Sequence, residues 1–351
     1  MLLGSGSVAG VLADAWTPMG TSASGDRLAR MQASPQYVDG VFENPQPMWN
    51  DYSGMLTGFS DGSDVAEADP PPPSLAVEPS VYETGADLRV SWFGHSSMLF
   101  EVDGARFLVD PIWGERAGPV DWAGPKRWYA PPIALDELPD IDAVLISHDH
   151  YDHLDHPTFE VLKGWDTTFI VPLGVGAHLE YWGVPPERIV ELDWWETAQV
   201  GEVTVTSTPA RHASGRQAFD QMATLWTGFA LNGPEHDLYY SGDTGWFDAL
   251  HDIGERLGPF DVALVEVGAY NAAWPDWHIG LPCPAQEPPL RRQVIRIRLT
   301  DGIVAPSRLD ASTGEVFGQR LLPYLPGEAG QGGRAGGDCS VAVSKPSLDF
   351  V

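Results

Sequence analysis

The sequence is poor in cysteine, in lysine and in long apolar runs. Two cysteines, Cys283 and Cys339, among 351 residues exclude a disulfide scaffold and a cysteine-built zinc site. No stretch of 18 apolar residues is present, so no membrane-spanning helix is expected. Basic residues number 20 against 49 acidic ones, a formal charge of −29. Such a chain lacks the basic face that phosphate backbones require, and no nucleic-acid partner is expected. Only Lys126, Lys163 and Lys345 are lysines. An acidic, lysine-poor surface stays soluble in concentrated salt, which points to a halophilic or salt-tolerant source. An ordinary acidic protein from a GC-rich genome is the plainer alternative. What the chain does have is 43% hydrophobic residues, too many for a wholly disordered polypeptide.

Charge and residue usage change near residue 280. Residues 281–351 carry eight basic and seven acidic side chains, whereas residues 1–280 carry 12 and 42. All 14 Trp and all 10 His precede residue 281, and both cysteines follow it. Residues 1–60 read as an N-terminal arm. Their first 16 residues are mildly apolar but carry no positive charge ahead of the apolar run, unlike a secretory signal. They read as a frayed terminus, or else as the stump of a membrane anchor; a cytoplasmic location is expected. Residues 61–86 hold an acidic run and Pro70–Pro73, an extended, solvated linker.

The folded body is expected over 87–280. Apolar or alternating runs predict strands at 88–93, 97–102, 105–110, 142–147, 167–172, 188–192, 203–208, 225–231, 238–241 and 261–267. Asp103-Gly104 makes a hairpin turn. Helices are predicted at 157–164, 175–183 and 245–257, each with a glycine at or just past its end. Early hairpins and later strand–helix units imply sheets covered by helices, an α/β or α+β architecture.

The densest chemistry is HDHYDHLD at 148–155, directly after a buried strand. A strand end turning into a loop can direct His148, Asp152 and His153 to one point, with His150 beside them. Imidazoles and carboxylates suit Zn²⁺, Mn²⁺ or Fe²⁺. A histidine-rich turn without metal would bury several polar rings without partners, at considerable cost. Asp243 lies in SGDTG, between Gly242 and Gly245, where the backbone can come close to a ligand.

The pattern H-x-H-x-D-H resembles the signature of the metallo-β-lactamase fold. GHSS (94–97), FLVDPIW (107–113), GPKRWY (124–129), VPLGV (171–175), ELDWWE (191–196), TPARH (208–212), SGDTG (241–245) and GPFD (258–261) extend the likeness in order. Over about 88–280 the chain resembles the N-acyl-phosphatidylethanolamine-hydrolysing phospholipase D branch and its bacterial relatives. The resemblance implies an αββα sandwich with two Zn²⁺ at one sheet edge. It implies His148, His150 and His212 on the first metal, Asp152 and His153 on the second, and Asp243 bridging both. Two such cations about 3.5–4 Å apart can share a hydroxide and stabilise an in-line displacement.

The branch carries one more histidine on a late strand, and this chain has none after His278. The second site is therefore expected to be incomplete unless His278 substitutes. The likeness stops at LPCPAQEPPLRRQ, where composition also changes, so 281–351 reads as an atypical tail, translated in a shifted frame or divergent. The last strand and helix of the sandwich are expected to be missing or altered. Asp152 and His278 are the candidate catalytic residues; Asp152 can hold or accept the nucleophile's proton. His95 reads equally as a residue near the site or a core histidine. His156, His178, His236 and His251 read as ordinary surface or helix residues, Asp149 as a solvated loop charge, and Trp128, Trp194 and Trp195 as packing. Cys283 and Cys339 receive no role. The expected function is a metal-dependent hydrolase acting as a phosphodiesterase on a small-molecule or phospholipid-type ester, with peripheral membrane contact possible. The alternatives are a lactonase resembling ascorbate-6-phosphate lactonases and a weakly active remnant. At about 1 M salt the Debye length is roughly 3 Å, so repulsion from anionic lipid fades and activity is expected to rise with salt.

Overall fold

The computed structural model describes residues 16–51, 76–127, 129–217, 219–266, 274 and 276–279, with the backbone of three short strands at 308–310, 315–317 and 349–350. Most of the tail, Cys283, Cys339, Trp128 and most of the linker lie outside the described residues. On the N-terminal side a helix α1 (Gly25–Ala33) leads into a hairpin of β1 (Tyr37–Val38) and β2 (Val41–Phe42).

The long apolar runs pair into two sheets. β3 (Leu88–Gly94), β4 (Ser97–Val102) and β5 (Ala105–Val109) form an antiparallel meander. β6 (Ala143–Leu145), β7 (Thr168–Pro172) and β8 (Ile189–Leu192) continue it in parallel. The second sheet holds β9 (Thr197–Val200), β10 (Val203–Thr208), β11 (Gly228–Asn232), β12 (Asp237–Tyr240) and β13 (Val262–Leu264). Its order is β13-β12-β11-β10-β9. β14 (Arg308–Asp310) and β15 (Glu315–Phe317) pair with each other as a separate two-stranded ribbon. A last short strand β16 (Asp349–Phe350) pairs with β3, giving the first sheet the order β16-β3-β4-β5-β6-β7-β8.

Strand alternation explains the layers. Met98, Phe100, Phe107, Val109 and Leu145 point inward against Val205, Phe229, Leu231, Tyr240 and Leu264 of the facing sheet. Their neighbours Leu99, Leu108, Val144 and Phe169 point outward. They pack on Phe159 and Leu162 of α2 (His156–Leu162), on Leu179 of α3 (Gly176–Tyr181) and on Trp182. On the far side Ala230, Tyr239 and Ala263 meet Leu250 and Ile253 of α4 (Ala249–Leu257). Strands buried on both faces read as continuous apolar runs. Each fully buried Leu or Phe contributes roughly 1.5–3 kcal/mol. The result is the αββα sandwich that the resemblance implied. Met31 and Phe42 of the arm pack on Leu173, Trp194, Leu225 and Trp226, and Val77 and Tyr82, within 61–86, join the outer core. Among the described residues no helix is long and apolar enough to cross a membrane.

Three differences from expectation have local causes. The strand expected over 142–147 is confined to Ala143–Leu145: Ile146 N makes the last bond to β7, at Ile170 O, and Ser147 N leaves the ladder for the Asp110 carboxylate at 2.7 Å. The strand expected from 225 starts at Gly228, because Leu225 N and Thr227 N donate to Leu173 O and Ser147 O instead. The helix expected from 245 starts at Ala249, since Gly245 N donates to Arg211 O and that loop turns toward the site. Helix α1 carries little apolar signal, only Met31 being buried, and the sequence reading missed it.

Candidate metal centre

Three loops leave the same edge of the sandwich. The first follows β6, the second β10 and the third β12. In the first, His150 O accepts from His153 N (3.0 Å) and Leu154 N (2.8 Å), a tight turn that sets the rings side by side. Asp155 ends the turn by accepting from Thr158 N at the start of α2. In the second, Asn44 of the arm clasps His212 by both backbone groups, its Oδ1 accepting from His212 N and its Nδ2 donating to His212 O. In the third, Gly242 has φ +59° and packs so closely that a Cβ would lie 2.6 Å from Thr227 O and 2.9 Å from Ser147 Cβ. Gly242→Ala is therefore expected to displace Asp243 and to weaken cation binding at least tenfold, which titration of the metal-free variant checks.

The loops bring together the rings of His148, His150, His153 and His212 with the carboxylates of Asp152 and Asp243. His148 Nε2 and His212 Nε2 lie 2.9 and 3.3 Å from His150 Nδ1. Asp243 Oδ2 stands 3.3 Å from His153 Nε2, 3.8 Å from His212 Nε2 and 4.0 Å from His278 Nδ1. Asp152 Oδ2 stands 4.0 Å from His153 Nε2 and 3.1 Å from His95 Nε2. His278 Nδ1 also faces Glu266 Oε1 at 3.2 Å.

Outer partners set the tautomers. His148 Nδ1 meets Ser147 Oγ at 3.0 Å, His153 Nδ1 meets Asp110 Oδ2 at 2.8 Å, and His212 Nδ1 meets Trp277 O at 3.2 Å. The Ser147 hydroxyl already donates to Asp110, so Nδ1 of His148, His153 and His212 carries the proton, and Nε2 of the neutral His148 and His212 presents a lone pair inward. Burial pushes His148, His150 and His212 below the ordinary imidazole range, well below it for His148 and His212. Neutral rings are the ligating form. His153 goes the other way: against its burial, the carboxylates of Asp243, Asp110 and Asp152 raise it well above that range. Burial would raise Asp152 and Asp243, but imidazoles outweigh it and both stay ionised, His153 foremost for each.

These residues fit a divalent cation. His148 Nε2 and His212 Nε2, lone pairs inward, converge on His150 Nδ1 at 2.9 and 3.3 Å, and a cation between the three would hold His150 with Nδ1 unprotonated. Three nitrogens about 2.0–2.1 Å from one tetrahedral zinc lie roughly 3.3 Å apart, close to the observed spacing. His153 Nε2, fully buried, has no hydrogen-bond partner. The donor atoms fall into overlapping groups: His148, His150 and His212; His148, His153 and Asp243; His95, Asp152 and His153; His212, Asp243 and His278.

The structure corrects two sequence expectations. Asp149 is not a solvated charge: it is buried and accepts from Gly215 N, Thr224 Oγ1 and His178 Nε2. His178 is buried with it, and its other ring nitrogen accepts from Thr21 N. Trp194 packs in the core and donates to Trp226 O, as expected of a packing residue. Three residues that hold the site went unread: Asp110, Ser147 and Arg216. The buried Arg216 guanidinium donates to Asp149 O and Leu154 O of the histidine loop and to Pro18 O of the arm. A carboxylate closing ARFLVD and an arginine after a glycine carry no local sign of these roles.

The family described as "Beta-lactamase superfamily domain" matches residues 105–287. An uncharacterized protein of Mycobacterium tuberculosis is 46% identical over 74% of this chain and 71% of its own length. The N-acyl-phosphatidylethanolamine-hydrolyzing phospholipase D 1 of Caenorhabditis elegans is 32% identical over 69% of this chain and 74% of its own. A metal-dependent hydrolase of Methanopyrus kandleri is 30% identical over 52% of this chain and 73% of its own.

Proposed function

We propose that this chain, which belongs to the β-lactamase superfamily and is a metal-dependent hydrolase, cleaves phosphodiesters of phospholipid type with Zn²⁺ as its cation. The observation that carries the reading is Asp243 Oδ2, placed between two groups of imidazole and carboxylate donors. A divalent cation there supplies a water of lowered pKa and positive charge for the ester oxygens. The chain's side chains do the rest.

Water's oxygen joins phosphorus, the bond from phosphorus to the head-group oxygen breaks, and the alcohol leaves with a proton. Asp152, ionised and open to solvent on one side, accepts the proton from the attacking water. His278, on the far side of Asp243 and held by Glu266, supplies the proton to the leaving oxygen. Asp152→Asn, assayed at Zn²⁺ high enough to keep its cations bound, is expected to lower turnover by about 10²–10⁴-fold. Near-normal turnover, with cations counted by elemental analysis, removes that role.

The full chain, purified and loaded with Zn²⁺, tests the substrate. N-acyl-phosphatidylethanolamine vesicles and a small lactone are offered in parallel. Release of phosphatidic acid at least tenfold faster than lactone opening is expected. Lactone opening without phosphatidic acid overturns the phosphodiesterase reading in favour of a lactonase.

A further inference from the structure

We propose that His95 is the fourth protein donor to the second cation. This rests on the two-cation reading above and concerns how its second half is completed.

The two donor groups are unequal. The first draws on three imidazoles, His148, His150 and His212, with Asp243 beside them. The second has Asp152 and Asp243 on either side of His153 Nε2, at 4.0 and 3.3 Å, three donors with room for a fourth around the ion. His153 Nε2 is buried and makes no geometrically sound hydrogen bond to either carboxylate. The next ring nitrogen on that side is His95 Nε2, 3.1 Å from Asp152 Oδ2, its ring 5.3 Å from the His153 ring. His278 lies across the site, beside His212 and Asp243.

His95 is held there by its backbone. It sits in the turn between β3 and β4 with φ +49°, after Gly94 with φ +108° and a shift in strand register. A left-handed non-glycine residue is uncommon and persists where surrounding contacts impose it. The Trp92 indole donates to His95 O at 2.7 Å, and Arg127 donates to Phe93 O at 2.9 Å. Two positive φ values and two side-chain clamps aim one imidazole at the Asp152 carboxylate.

The test is cation binding by the full chain. The metal-free wild type, titrated with Co²⁺ and with Zn²⁺, takes two equivalents. His95→Asn, which tolerates the left-handed backbone, keeps the first equivalent and weakens the second by at least tenfold to a hundredfold. In His95→Cys a thiolate-to-cobalt absorption appears in the near ultraviolet with the second equivalent. The wild type, with its own Cys283 and Cys339, lacks it. Circular dichroism melts of the metal-free forms show that each variant is folded. A further readout needs no variant: in ring-¹⁵N spectra of the wild type, zinc loading shifts His95 together with His148, His150, His153 and His212. Wild-type affinity in His95→Asn, a folded His95→Cys without the new band, or four shifted rings instead of five overturns the proposal. A wild type that takes one equivalent overturns it and leaves a one-cation hydrolase standing. A wild type that takes none brings down both readings.

Discussion

Asp243→Ala is expected to lower hydrolysis by about 10³-fold or more and to weaken both cations together. The magnitude follows from the several kcal/mol of charge stabilisation that metal centres supply, about 1.4 kcal/mol corresponding to tenfold in rate. The double loss follows from geometry. Asp243 Oδ2 is 3.3 Å from His153 Nε2 of one group and 3.8 Å from His212 Nε2 of the other. Among the described residues no other carboxylate comes within 4.0 Å of ring nitrogens in both groups; at that range Asp152 meets His153 and His95. The comparison that makes the test sharp is His212→Ala, which removes a donor from the first group alone. Calorimetric titration of metal-free protein should show one weakened event for His212→Ala and two for Asp243→Ala. Asp243→Asn, which keeps the shape and loses the charge, should lie nearer to Asp243→Ala than to wild type. Two events of wild-type affinity in Asp243→Ala would separate the donor groups and end the shared-carboxylate account.

What the sequence made legible follows from the range of the forces involved. The sandwich could be read because β6 and β7 are short apolar runs and β3 and β10 alternate, and such patterns report burial without reference to distant partners. The histidine loop could be read because its donors are within six residues and follow a strand end. Asp149 could not, because its burial depends on His178, Gly215 and Thr224, all remote in sequence. The grip of Asn44 on His212 spans 168 positions and leaves no periodic trace. Strand ends were misjudged where a side chain takes over the ladder. Val144 and Ile146 read alike in the sequence, but the amide after Ile146 is claimed by Asp110. Helix α1 escaped because it buries one methionine, and the arm it belongs to is held by contacts across the chain.

Asp110→Ala is expected to be the most damaging substitution outside the donor set. The carboxylate is fully buried. Its Oδ1 accepts from Ser147 N at 2.7 Å, and its Oδ2 from Ser147 Oγ and Tyr240 OH, both at 2.6 Å, and from His153 Nδ1 at 2.8 Å. Truncation leaves those donors without an acceptor in a core that admits no replacement. A buried donor left unpaired costs about 1–3 kcal/mol, and breaking a buried charged pair about 3–5 kcal/mol in all. At roughly 2–4 °C per kcal/mol for a domain of this size, Tm should fall by about 6–20 °C. The site should suffer separately. Without Asp110 the His153 Nδ1 proton is left with only the Ser147 hydroxyl, 3.4 Å away, and Ser147, which orients His148, loses its own anchor. Cation affinity should drop by about 10–100-fold, the usual cost of removing an outer partner. Asp110→Asn separates the two effects, because its remaining oxygen can still accept from Ser147 N while its amide opposes the Tyr240 hydroxyl or the His153 N–H. It should melt between wild type and Asp110→Ala yet bind cations almost as weakly as Asp110→Ala. If Asp110→Ala melts within about 2 °C of wild type, the four bonds do not hold the two sheets together at this edge.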